Sequence, residues 1–186
     1  MSSDTLNSSL KNILEQYQQS FSTKLFGEEY VELDDLMLIF GLTQEIKAQN
    51  KQYWGRELGM CWQRLIVQLC QHTCEDFGEP IKEGADEICD LILGNDAIDT
   101  KYRIGSGDSG TLKKFKQDGK RLQELGYNPV LLIFRNDNLP AAITACINGG
   151  WTIIQGLEAY NYIQAKTGFE LQKWFKKRKS KFIISS

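Results

Sequence analysis

The sequence predicts an α/β fold, with a mixed central sheet flanked by helices and preceded by an N-terminal helical extension. Three observations carry that reading. Two short apolar runs, Ile88–Leu93 and Ala97-Ile98, flank Gly94-Asn95, a pair that tolerates positive φ and reads as a tight hairpin turn. Pro129-Val-Leu-Leu-Ile-Phe134 is a continuous apolar run, the pattern of a strand buried on both faces. After the hairpin, helical and strand periodicities alternate, which places helices on both faces of one sheet.

The elements follow in order. Leu6, Leu10, Ile13, Leu14 and Tyr17 recur at helical spacing and predict an amphipathic helix over 4–21. Glu32–Phe40 reads as a short helix ended by Gly41, and 42–50 as helix or linker. Residues 1–50 form the extension and 51–186 the core. Trp54–Cys74 is a long helix, with Leu58, Cys61, Trp62, Leu65, Ile66 and Leu69 on one face, broken by Gly78 and Pro80. The hairpin and an extended Tyr102-Arg-Ile follow. Thr111–Gly126 reads as a basic helix, with Leu112, Phe115, Leu122 and Leu125 inward. A helix from Pro140 to Asn148, a strand over Trp151–Ile154 and helices over 156–165 and 170–179 complete the chain.

Composition narrows the chemistry. The 186 residues are 41% hydrophobic, enough for a substantial core, and no run has the length of a membrane helix. The start of the chain lacks a signal-peptide pattern. Five cysteines with no C-x-x-C pair read as reduced, buried thiols of a cytoplasmic protein. The scarcity of histidine, with His72 alone, argues against most His-dependent nucleases, Ser/His/Asp hydrolases and two-His metal sites. A zinc site from Cys70, His72 and Cys74 is the minor reading, since those positions do not converge on a helix and no second ligand pair appears. The net charge of −2 conceals an asymmetry: residues 101–186 carry 15 Lys and Arg against 6 Asp and Glu, whereas residues 1–100 stand at −11. A basic half is what a phosphate-backbone ligand requires.

Chemistry concentrates on the hairpin. Folding about Gly94-Asn95 sets residues opposite each other when their numbers sum to 189, so Asp90 faces Asp99, and Lys101 shares the Asp99 face. Two carboxylates side by side in a half-buried sheet need a counter-charge. Mg²⁺ on Asp90 and Asp99 supplies it, with Lys101 orienting or deprotonating a water, or neutralising transition-state charge. That set suits phosphodiester hydrolysis. The plainer alternative is a hairpin whose polar residues are simply solvated. Asp96 faces the other way and reads as turn chemistry. Glu57, or Glu87, is a candidate for an additional carboxylate at the site.

Around it lie candidate DNA contacts: Arg103, Ser106 and Ser109 in or beside the glycine loop 105–110, then Lys113, Lys116 and Lys120, and Arg135 at the end of the buried strand. Gly105-Ser-Gly-Asp-Ser-Gly110 fits G-x-G-x-x-G, with Asp137 a conceivable ribose ligand. The preceding strand carries Asp99, Lys101 and Arg103, which a dinucleotide-binding strand would not.

Asp90 followed by Asp99-Thr100-Lys101 resembles the PD-(D/E)xK nuclease signature, an acidic residue on one strand and (D/E)-x-K on the next. The wider segment, from Gln52-Tyr-Trp-Gly-Arg-Glu-Leu-Gly59 through Trp151 and Thr167-Gly168, is similar to type II restriction endonucleases, within them the ApaLI-like group. Cys89 stands where Pro is usual and Asp99 where Glu is commoner; neither change removes a ligand. The resemblance implies a restriction-endonuclease-like core, Mg²⁺ as cofactor, and cleavage of double-stranded DNA at a short palindrome by a homodimer. The competing readings are a junction or repair nuclease of the same superfamily, a non-catalytic DNA-binding module, and a nucleotide-dependent oxidoreductase.

Overall fold

The computed structural model describes residues 32–84, 86–105 and 107–184. The helix read over 4–21 and Ser106 lie outside the described residues. A mixed sheet flanked by helices is present. Strands β1 (Phe77–Gly78), β4 (Leu91–Leu93), β5 (Asp96–Lys101), β6 (Asn128–Ile133) and β7 (Thr152–Gln155) lie side by side in that order. The β1/β4 and β4/β5 pairings are antiparallel; β5/β6 and β6/β7 are parallel. A separate polar hairpin joins β2 (Lys82–Glu83) to β3 (Asp86–Glu87). Neither β1 nor this hairpin was expected from the sequence.

Around the sheet lie seven described helices: α1 (Asp35–Phe40), α2 (Gln44–Gln49), α3 (Lys51–Thr73), α4 (Ser109–Glu124), α5 (Pro140–Asn148), α6 (Leu157–Thr167) and α7 (Leu171–Lys176). Parallel neighbours need a crossover, and α4 and α5 provide the two that join β5 to β6 and β6 to β7. Helix α3 begins before Trp54 because the Asn50 side chain accepts from Tyr53 N at 3.0 Å and caps it. Its buried stripe is Leu58, Trp62, Ile66 and Cys70, with Cys61, Leu65 and Leu69 on the flanks. Helix α4 ends at Glu124, so Leu125, expected inward, lies past its end and is 42% exposed.

The period-two alternation of β6 divides the core in two. Val130, Leu132 and Phe134 pack with Trp62 and Ile66 of α3, Ile163 of α6 and Phe175 of α7. Leu131 and Ile133 pack with Phe115 and Leu122 of α4, Cys146 of α5 and Trp151. The compact unit begins at Leu33, so α1 and α2, read as part of an extension, belong to it. Leu36, Met37 and Ile39 are buried in the first core, and Tyr160 donates to Asp35 at 2.9 Å.

Asp34 also holds Arg135. The Arg135 guanidinium is 5% exposed and pairs with Asp34 at 2.6 Å and Asp137 at 2.7 Å. Tyr102 donates to the same Asp34 carboxylate, and Lys47 Nζ donates to the Tyr102 hydroxyl at 2.9 Å. Arg135, expected as a DNA contact, is thus a buried guanidinium held between two carboxylates, and it ties α1 to the end of β6.

Candidate active site

The hairpin has the register that the sequence predicts. Leu91 pairs with Ile98, Ile92 with Ala97 and Leu93 with Asp96. Only Gly94 takes a positive φ, +56°, which is the glycine-first pattern of a II′ turn rather than the double-positive I′. This register brings Asp90 to the end of the ladder beside Asp99. There the main-chain pattern gives way to side chains. Thr100 donates both its N–H (2.7 Å) and its Oγ1 hydroxyl (2.6 Å) to Asp90 Oδ2, and Gln63 Nε2 of α3 donates to Oδ1 at 2.6 Å. Three donors fix the carboxylate in one orientation.

Asp99 and Lys101 alternate with Thr100 and so share the α4 side of the sheet. The Lys101 ammonium donates to Asp99 Oδ1 at 2.7 Å and to the Thr100 carbonyl at 3.3 Å. Asp90, Asp99 and Lys101 line one cavity of about 380 Å³, together with Glu87, Ile88, and Thr111, Lys114, Phe115 and Asp118 of α4. Burial raises Asp90 to about 6, and the Asp99 charge adds to it, against the Lys101 ammonium and the Thr100 bonds. For Lys101, burial works against the charged form, but the Asp99 and Asp90 carboxylates outweigh it and hold the ammonium above its ordinary range. Asp118 is raised by burial too.

Asp96 is on the opposite face, as expected, but it does more than turn the chain. It accepts from Tyr162 Oη and Lys166 Nζ, both at 2.8 Å, and so fastens α6 to the sheet. Glu57 pairs with neighbouring Arg56 at 3.0 Å and does not line the cavity; Glu87 does, while pairing with Lys82 at 3.3 Å. Helix α3 contributes Gln63 instead. An uncharged side chain eleven positions before the helix C-cap carries no sequence signal for that role.

The expected DNA contacts divide. Ser109, the first residue of α4, and Arg103 are exposed and do not line the cavity, with Arg103 paired to Asp137 at 3.2 Å. Lys113, Lys116 and Lys120 are exposed but do not line the cavity. Thr111, Lys114 and Asp118 recur at helical spacing on the cavity flank, and the three lysines occupy another flank of the same helix. Asp108 caps α4, accepting from Thr111 N at 2.9 Å and Thr111 Oγ1 at 2.7 Å. A carboxylate already occupying this N-terminus disfavours a pyrophosphate there.

The residues fit a hard divalent cation. Asp90 and Asp99 offer oxygen donors, the Asp99 charge adds to the burial that raises Asp90, and the Lys101 ammonium rests on Asp99 and the Thr100 carbonyl oxygen. Among the described residues no group of three or more His, Cys, Asp and Glu side chains is arranged to hold a metal, so these two carboxylates are the protein donors at issue. The thiols are free, and burial pushes Cys89 and Cys146 up to about 11 and Cys70 to about 12, which leaves them protonated and inert near neutrality. No helix among the described residues is long and apolar enough to cross a membrane. No protein-family model matches the chain, and no curated protein or solved structure is significantly similar to it.

Proposed function

We propose that the protein is a Mg²⁺-dependent endonuclease of the PD-(D/E)xK type, with a restriction-endonuclease-like core, that hydrolyses phosphodiester bonds of double-stranded DNA. The observation that carries this reading is the convergence of Asp90, Asp99 and Lys101 on one cavity. Asp90 and Asp99 would hold the metal, which when bound neutralises the carboxylate pair and polarises a phosphoryl oxygen. Gln63 and Thr100 keep Asp90 in one orientation, leaving one lone pair of Oδ1 for a ligand. Lys101 is held protonated, which suits it to orient a water and to neutralise charge growing on the phosphorus-bound oxygens, and not to act as the base. The Thr111 hydroxyl and the Lys114 ammonium, on the α4 wall, are donors suited to the phosphate.

Within this reading the enzyme is cytoplasmic and acts as a homodimer on a short palindrome, since one chain offers one such cavity and a duplex needs two cuts. The test is incubation with plasmid DNA in Mg²⁺ and in EDTA, followed by sequencing of the ends. Discrete fragments with matching ends are expected. Cleavage confined to branched junctions favours the junction or repair nuclease, and DNA binding without cleavage under any divalent metal sinks the enzymatic reading.

A further inference from the structure

The cavity flank of α4 carries two cations, Lys114 and Arg121, in line with Thr111 and Asp118 at helical spacing. Both are engaged by the β2–β3 hairpin. Lys114 Nζ meets Asp86 Oδ2 at 3.2 Å, and Arg121 Nε pairs with Glu83. Arg121 Nη1 also meets Glu124 at 3.3 Å. The hairpin runs directly into the site: Glu87 lines the cavity and Asp90 is three residues further on. Its base is anchored independently of these ion pairs, because Ile88 is buried in the second core with Ile81 packed against it, and Ile88 N donates to Ile81 O at 2.9 Å.

We propose that Lys114, in the cavity wall, and Arg121, further along the same flank of α4, are backbone-phosphate contacts, and that in the free protein Asp86 and Glu83 occupy them as carboxylate stand-ins that DNA phosphates replace. The proposal rests on the nuclease reading above and adds the surface by which the duplex reaches the cavity. Three physical points support it. The four side chains are 42–70% exposed, so the pairs are screened and weak enough to exchange without unfolding anything. A phosphodiester presents the same anionic oxygens as a carboxylate, and a guanidinium can grip two of them at once. A duplex offers a row of phosphates, so the two cations can be engaged together, with release of condensed counterions that a carboxylate pair does not provide.

The experiment uses the full chain in EDTA and a mixed-sequence duplex oligonucleotide, with affinity read by fluorescence anisotropy over a salt series. Glu83→Gln with Asp86→Asn should tighten binding about three- to tenfold at low salt. The charge reversal Glu83→Lys with Asp86→Lys should tighten it further. Lys114→Ala with Arg121→Ala should weaken binding and lower the salt slope by about two units, one per lost phosphate contact. Adding the Gln/Asn pair to that background should change nothing, because the carboxylates then have no cation to occupy. Wild-type affinity for both hairpin variants, or equal tightening with and without Lys114 and Arg121, overturns the exchange while leaving the nuclease reading intact if Mg²⁺-dependent cleavage persists. A chain that neither binds nor cuts duplex in any variant overturns both.

Discussion

Gln63, in the middle of α3, donates to Asp90 Oδ1 at 2.6 Å across 27 positions of sequence. This bond joins the helix to the β4–β5 hairpin, at the carboxylate that burial and the Asp99 charge raise to about 6 against the Lys101 ammonium and the Thr100 bonds. A donor to a carboxylate contributes about 1.5 kcal/mol or more, equivalent to about one pKa unit. We expect Gln63→Leu to move the acid limb of the cleavage pH profile upward by about that amount. Cleavage near neutrality should fall and recover in alkaline buffer. A uniform loss at every pH would show that Gln63 serves the fold and not the ionisation of Asp90.

Asp90 also links stability to pH. Its folded pKa of about 6 lies above the ordinary 3.8, so between those values the folded chain binds more protons than the unfolded one. Stability therefore falls as pH rises through that window and stays lower above it. Asp90→Asn removes the buried charge while an amide can still accept from Thr100 and donate to the Gln63 oxygen. It should stabilise the protein at pH 7.5 by about 1–2 kcal/mol, with the gain gone at about pH 4. Urea denaturation at the two pH values measures this. Added Mg²⁺ should raise the Tm of the wild type and leave that of the variant unchanged.

Much of this was legible in the sequence, for identifiable reasons. The register followed from Gly94-Asn95 because a two-residue turn fixes every pair beyond it, and the two faces of β5 then separate Asp96 from Asp99. The long α3 announced itself by its period and the buried β6 by its unbroken apolar run. What could not be read was polar. Lys82-Glu-Gly-Ala-Asp-Glu87 has no apolar alternation, so its hairpin is invisible to periodicity, and its ion pairs to α4 are long-range. Arg135 follows an apolar run and resembles an exposed cation at a strand end. Only Asp34, 101 positions earlier, reveals it as a buried partner.

The two faces of β5 make a clean contrast. Asp99→Asn and Lys101→Ala should each abolish Mg²⁺-dependent cleavage and leave a folded protein. Asp96→Asn should keep cleavage yet lose about 1–3 kcal/mol of stability, since Tyr162 and Lys166 lose a charged acceptor. Cleavage assays beside thermal melts distinguish the two. An inactive, stable Asp96→Asn would mean that the faces are assigned the wrong way round.

Arg135→Ala should behave as a core mutation. It leaves the Asp34 carboxylate, 13% exposed, without its guanidinium, and breaking a buried pair costs about 3–5 kcal/mol. Arg135→Lys should recover only part of this, because a single ammonium cannot reach both Asp34 and Asp137 with the same fork. The measurement is a chemical denaturation midpoint. A stable Arg135→Ala whose cleavage specificity relaxes at one base would restore the base-reading role.

The last prediction turns on which flank of α4 meets the reacting phosphate. Lys114 lines the cavity with Thr111 and Asp118, whereas Lys113, Lys116 and Lys120 do not. Single-turnover cleavage at saturating DNA separates chemistry from binding, since a phosphate contact outside the cavity then no longer limits the rate. Alanine at Lys113, Lys116 and Lys120 together should leave that rate within about twofold of wild type, whatever it does to affinity and salt slope. Lys114→Ala should lower the saturated rate about ten- to a hundredfold, in keeping with loss of a charged donor beside the developing charge. The reverse pattern, a slow triple variant and a fast Lys114→Ala, would place the scissile phosphate on the other flank and remove the cavity from the mechanism.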